Sequence, residues 1–255
     1  MRDGQYCGQT GYHRPMSALR KTYIARLVGR CVILLLCAGL WLIDPAEFSV
    51  LDGRNFFGGF SVLHLLWGIW VVDMVAQLFP VPARIALGSH KVFRRHFRPV
   101  PGGWDRAALR RYTAGQYKRA GLVLVLWAAL IAVLGLLHYI GLISNAVLFL
   151  ISVLFYVCDL ICVLIWCPFR LILGNRCCTT CRIFNWDHMM MFSPLIFAAG
   201  FYGWSLVVMS LIVWLAWELT LLWHPERFWV GSNAALRCAG CADKLCIQYC
   251  EKRWL

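Results

Sequence analysis

Five stretches of this chain are too long and too apolar for a soluble domain of its size to hide. Residues 22–43, 56–79, 120–141, 146–167 and 194–223 consist mostly of Leu, Val, Ile, Phe, Trp and Ala. A hydrocarbon core of roughly 30 Å needs about 20 such residues as a helix. Inside lipid, backbone polar groups are satisfied only in helices or closed barrels. Only 15% of the 255 residues are charged, against roughly 25% in soluble domains. The expected fold is all-α: a polytopic integral membrane protein with about five transmembrane helices, a cytoplasmic basic loop and two cysteine-rich segments.

The polar connections set the organisation. Residues 1–21 form a basic N-terminal tail, and residues 22–80 hold a first transmembrane helix pair. Arg26 and Arg30, in the first turns of the first span, are expected to snorkel to the headgroups. The 81–119 loop carries Arg84, Lys91, Arg94, Arg95, Arg98, Arg106, Arg110, Arg111, Lys118 and Arg119 against one acid, Asp105. Its latter half, DRAALRRYTAGQYKR, reads as an amphipathic helix on the membrane surface. Residues 120–167 make a transmembrane hairpin turning near Gly141, Ser144 and Asn145. A cysteine-rich loop, 168–193, precedes a long helix, 194–223, with Ser193–Pro194 as its start. At about 45 Å that helix outruns the bilayer and must tilt, protrude, or break near Gly200 and Gly203. Residues 224–255 are a cysteine-rich tail.

No short apolar core with a cleavage site opens the chain, so the first span reads as an uncleaved anchor. The basic tail and loop place the N-terminus in the cytoplasm of a multi-pass cell-membrane protein. Five crossings then carry the C-terminal tail outside. Its Arg227, Arg237, Lys244, Lys252 and Arg253 outnumber Glu226, Asp243 and Glu251, which favours inside and leaves a final helix that turns back as the alternative. The net charge of +13 sits in the connections, beside the lipid bilayer as its nearest partner. Nucleic acid is not expected.

Two groups of four cysteines point to chemistry. Cys167, Cys177, Cys178 and Cys181 follow the fourth span with the spacing C-x9-C-C-x2-C. Cys238, Cys241, Cys246 and Cys250 follow the fifth as C-x2-C-x4-C-x3-C. A C-x2-C pair places two sulfurs on one metal, and gathered thiolates suit zinc or an iron–sulfur cluster. Cys238 and Cys241 could also pool with Cys178 and Cys181 in a single zinc site. Neither spacing matches a standard ferredoxin or zinc finger. Arg170, Arg176 and Arg182 surround the first group with positive charge, and Asp187, His188 and Arg182 are candidates for supporting its ligands.

Asp73, Asp159 and Glu218, with His64 and His138, fall inside the spans, where ionisable groups are costly unless paired. They could line an ion or proton path, or be tied to neighbours; for Asp159 the neighbour would be an arginine near the cytoplasmic edge. His64 and His138 could clamp a haem b, or make local polar ties. His90 and His96 read as solvated, and Met189–Met191 as packing. The leading expectation is a membrane redox protein that passes electrons through an iron–sulfur cluster or other thiolate-ligated centre to a redox partner. The alternatives are a soft-metal transporter or sensor, and a zinc-stabilised assembly factor with a partner protein. No sequence feature names a reaction.

Overall fold

The computed structural model describes residues 17–80, 86–175 and 177–237, with Asp243 and Leu245. Its α-helices in chain order are α1 (Ala18–Ile43), α2 (Leu63–Leu78), α3 (Leu87–His90), α4 (Arg106–Tyr139), α5 (Asn145–Leu164), α6 (Phe169–Leu173), α7 (Asp187–Phe192) and α8 (Phe201–Trp223). Four of them, α1, α4, α5 and α8, are long and apolar enough to cross a membrane, and α2 is a shorter apolar helix. Among the described residues there is no strand, only isolated bridges of Gly53 with Gly200 and Pro99 with Asn233.

Local chemistry sets the helix starts. Ser17 caps α1 by accepting from the Arg20 N–H at 3.1 Å, and Asp105 caps α4 by accepting from the Ala107 N–H at 2.7 Å. The α4–α5 turn passes through Gly141 at φ +77°, a left-handed conformation that favours glycine. Nothing between Arg106 and Tyr139 stops the helix. The expected surface helix and third span are therefore one continuous α4 of 34 residues, about 51 Å long.

The bundle has two chemically distinct ends. At the acidic end, the 3-10 turn Pro45–Leu51 and the following loop tie to α5, with Asn145 Nδ2 donating to Asp52 Oδ1 at 2.5 Å. The basic end gathers the start of α1, residues 86–105, and the loop after α5. The single long helix expected over 194–223 is absent. Residues Ser193–Phe197 form a 3-10 helix, Ala198 is extended, and α8 begins only at Phe201. Pro194 lacks an N–H, and Met190 O accepts instead from Ser193 Oγ at 2.8 Å. The backbone groups of the extended stretch at 198–200 bond to the Gly53 turn. Gly53 N–H donates to Ala199 O at 3.0 Å, and Phe201 N–H donates to Gly53 O at 3.1 Å.

The chain from Asp187 to Gly200 thus runs from the basic end to the acidic end in short pieces, and α8 runs back. This corrects the expectation that the tail leaves from the opposite end. Ala234 N–H donates to Arg98 O at 2.7 Å, and Val100 N–H donates to Ser232 O at 3.1 Å. Residues 232–234 of the tail therefore lie against the basic loop.

The broken 187–200 traverse is the centre of the molecule, packed on α4, α5 and α8. Trp127 Nε1 donates to Ser193 Oγ at 3.0 Å, and Phe197 lies where a Gly135 side chain would be. Trp70 is fully buried with its ring 5.1 Å from Phe192, 5.7 Å from Tyr156 and 5.8 Å from Phe149. Tyr202 is buried beside them and donates to Leu63 O at 2.9 Å. By contrast, α1 buries only Tyr23 and Cys37 and leaves Leu35, Leu42 and Ile43 exposed.

A Cβ on Gly200 would run into the Leu51 carbonyl, whereas one on Gly39 meets nothing within 4 Å. Gly200→Ala is expected to destabilise the protein by about 1–3 kcal/mol. Gly39→Ala is expected to cause no loss. Thermal unfolding in detergent compares the two.

Candidate functional site

The richest chemistry lies at the basic end. After α5 the chain turns through Cys167 into α6, which stops at Gly174 with φ +59°. Asn175 then organises the cysteine loop: its Nδ2 donates to Cys177 O at 2.6 Å, and its Oδ1 accepts from Thr180 Oγ1 at 2.8 Å. Cys178–Thr180 form one 3-10 turn, closed by Cys181 N–H donating to Cys178 O at 2.9 Å. Thr179 is buried inside that turn and donates to Asp243 Oδ2 at 3.3 Å.

Asp243 belongs to the tail sequence CAGCADKLCIQYC. Its Oδ2 also accepts from the Leu87 N–H at 2.8 Å, and its carbonyl accepts from Ser17 Oγ at 2.9 Å. Arg20 Nη1 donates to Leu245 O at 2.8 Å. Three separated parts of the chain therefore meet at Asp243 and Leu245, two through the Asp243 carboxylate and one through main-chain carbonyls.

Beside them, Lys91 is 2% exposed. Its Nζ donates to Cys181 O at 2.9 Å and lies 5.0 Å from the Trp217 ring centre and 5.3 Å from that of Phe228. Among the described residues no carboxylate forms an ion pair with it. Burial pulls its ammonium down to about 7, opposed by the nearby Cys181 and Cys177 thiols. The same apolar surroundings push the Cys181 thiol up to about 11 and raise that of Cys178. Cys167 is held down to about 7, first by its hydrogen bond with Cys162 and then by the backbone N–H groups of Phe169 and Arg170.

Among the described residues, no three of His, Cys, Asp and Glu gather closely enough to hold a metal ion. Cys167, Cys177, Cys178 and Cys181 do not make the four-thiolate set expected from their spacing. Cys167 turns back to Cys162, while Cys178 tucks against the end of α5, 3.9 Å from the carbonyls of Cys162 and Val163. Cys162, Cys167, Cys178 and Cys181 are free thiols. Cys238, Cys241, Cys246 and Cys250 lie outside the described residues, as does Arg176.

The residues expected to support the thiols face elsewhere. Arg182 pairs with Glu218 through both nitrogens, Nη1–Oε1 at 2.8 Å and Nη2–Oε2 at 2.5 Å. Trp186 Nε1 donates to Glu218 Oε1 at 2.7 Å, and Trp217 Nε1 donates to Arg182 O at 2.9 Å. The Arg182 charge is thus spent on a carboxylate rather than on sulfur. His188 points into the bundle, 3.3 Å from both Asp73 Oδ2 and Asp187 Oδ1, with Gln77 Nε2 at 3.2 Å.

Asp159 is likewise held by an arginine. Arg30 Nη1 donates to Asp159 Oδ2 at 2.7 Å and to Tyr156 O at 2.6 Å, with its guanidinium 3.7 Å over the Tyr156 ring. Arg30 therefore turns inward instead of snorkelling. The acids proposed to line a path each stand beside a basic partner.

The two histidines proposed to hold haem serve local turns. His64 Nε2 meets Phe56 O at 2.9 Å and its Nδ1 accepts from the Ser61 N–H at 3.0 Å, so neither nitrogen is left for iron. His138 Nδ1 meets Ile143 O at 2.8 Å. His90, expected in solvent, is buried with its ring 4.4 Å from His96. Met190 and Met191 are buried packing residues.

Sequence reasoning missed Lys91 because one lysine among ten basic loop residues carries no distinguishing signal. It placed Arg30 at the surface, while offering an arginine near the cytoplasmic edge as one possible neighbour of Asp159; the structure makes that arginine Arg30. No protein-family model, curated protein or solved structure matches the chain.

Arg30→Met removes the guanidinium that pairs with Asp159, at an expected cost of roughly 3–5 kcal/mol. Adding Asp159→Leu to that variant should restore most of the loss. A double-mutant cycle of unfolding in detergent reads this directly. Equal losses for the single and double variants would show that the pair is not what orders α1 on α5.

Proposed function

We propose that the chain is a multi-pass protein of the cell membrane that holds a thiolate-ligated metal centre at its cytoplasmic end. In this reading the N-terminus, the basic loop and the C-terminal tail all face the cytoplasm. The positive charge of those segments supports the orientation. So does the pairing of residues 232–234 with residues 98–100, because it removes the only reason for sending the tail outside.

The Thr179–Asp243 hydrogen bond carries the proposal for the centre. Thr179 lies within the pair Cys178-x-x-Cys181, and Asp243 lies two residues after the pair Cys238-x-x-Cys241. Two residues of chain span at most about 7 Å, and that short reach from Asp243 to position 241 supports a reading in which the two pairs share one site. Four thiolates from two such pairs make a closed site of the kind that zinc fills for structural purposes.

Charge favours the same conclusion. A zinc bound by four thiolates is a dianion, and among the described residues the buried Lys91 amine has no carboxylate within ion-pair distance. Filling the site supplies the missing counter-charge. The role that follows is a zinc-stabilised membrane assembly factor, with the metal fixing the tail, the start of α1 and the basic loop as one surface for a partner protein.

An iron–sulfur cluster, for electron transfer to a redox partner, is the competing occupant. The additional free thiols Cys162 and Cys167 beside Cys178 favour it.

Elemental analysis and a visible spectrum of anaerobically purified protein separate these occupants. Colourless protein with stoichiometric zinc is expected, and Cys178→Ser with Cys181→Ser should lose the metal. Lys91→Met should weaken zinc retention against a chelator while leaving the protein folded. Iron with acid-labile sulfide would establish the redox form, and intact protein free of any metal would overturn both. For orientation, a phosphatase fused to the C-terminus should stay inactive, whereas a fluorescent protein fused there should mature. An active phosphatase would place the tail outside.

A further inference from the structure

Helices α1 and α2 are neighbours in sequence, yet α1 packs chiefly on α5 and α2 chiefly on α8. Between them is a groove of about 690 Å³, floored by Tyr156. That volume falls within the roughly 300–1,000 Å³ of small-molecule sites. Gly29 on one wall and Gly68 on the other hold it open, since a Cβ on either would meet nothing within 4 Å. The flanking outward positions, Val28, Leu65, Ile69 and Val72, are exposed apolar side chains. The groove therefore opens sideways, where lipid would lie.

The polar groups of the groove are ordered along it. Arg26 is exposed at the basic end, and among the described residues no acid lies within ion-pair distance of it. Arg30, one turn further in, is held by Asp159. Asp73 also faces the groove, with its side chain 39% exposed beside His188. Its carboxylate repels a second anion at that depth. A negative group is thus accepted at the mouth, on Arg26, and refused further in. Beyond Asp73 the walls are Ile33, Leu65, Ile69 and Val72, and His64, bonded to Phe56 O and the Ser61 N–H, stands at the far end.

We propose that this groove is a binding site for a phospholipid with a net anionic headgroup. The phosphate bonds to the Arg26 guanidinium at the cytoplasmic boundary, and one acyl chain lies along Ile33, Leu65, Ile69 and Val72. The proposal rests on the membrane placement of α1 and α2 and is independent of the metal centre. Release of the protein from membranes by detergent alone, and not by salt or alkali, tests that placement separately.

Native mass spectrometry of delipidated full-length protein, with phosphatidylglycerol, phosphatidylethanolamine or glycerol 3-phosphate added back, tests the site. One phosphatidylglycerol should be retained per chain, in preference to phosphatidylethanolamine, and glycerol 3-phosphate should not bind. Gly68→Leu fills the groove and should abolish retention. Arg26→Gln should weaken it about fivefold. Unchanged tryptophan fluorescence and melting temperature would confirm that both variants fold. Equal retention of the two lipids, or variants that retain lipid as the parent does, would overturn the proposal. So would a lipid-free dimer that Gly68→Leu converts to monomer, because the occupant would then be a second copy of the chain.

Discussion

The backbone exchange between Gly53 and residues 199–201 decides the course of everything after it. A chain leaving the basic end at Asp187 could continue as one long helix only if every N–H found a carbonyl four residues back. Pro194 breaks that series, and the extended stretch at Ala198–Gly200 would strand its polar groups in an apolar interior. The Gly53 turn accepts and donates the missing bonds. The approach is close enough that position 200 has no room for a side chain. Once Gly200 is pinned at the acidic end, α8 must run back, and the tail must finish beside the basic loop.

Charge is handled by pairing across elements, which also orients them. Arg30 joins α1 to α5, and Arg182 joins the loop after α6 to α8, in each case by charge-assisted bonds in surroundings where an unpaired ion would be costly. Aromatic groups complete both sites, with Tyr156 under Arg30 and Trp186 on Glu218. Lys91 departs from this pattern: a carbonyl and ring faces surround its nitrogen, and among the described residues the groups near it that can become anions are the Cys181 and Cys177 thiols. That departure connects the electrostatics of the bundle to the chemistry of its basic end.

Much of this was legible in particular residues. The apolar runs around Leu34, Leu130, Val153 and Ile212 announced helices, and Gly141 with Ser144 marked the turn between two of them. The excess length of the 194–223 run was visible, but it left tilting, protruding and breaking near Gly200 or Gly203 equally open. What pattern alone does not carry is partnership. Asp159 and Glu218 could have been members of a path or tied to neighbours, and only the fold shows that Arg30 and Arg182 are those neighbours. Cys167 looked like a companion of Cys178 until the turn at the end of α5 directed it to Cys162. Spacing reports how far apart residues stand along the chain, whereas a loop containing Gly174 and Asn175 can fold its sulfurs toward several neighbours.

The amino-acid sequence by itself determined that this chain is helical and apolar enough to cross a membrane, because hydrophobic length and composition are properties of the chain that no partner can change. Tertiary structure alone decided which end receives the tail, which cation holds each buried acid, and that Asp243 meets Thr179. Those outcomes depend on where distant segments bring their unsatisfied bonds and charges together, and that is settled only when the whole bundle packs.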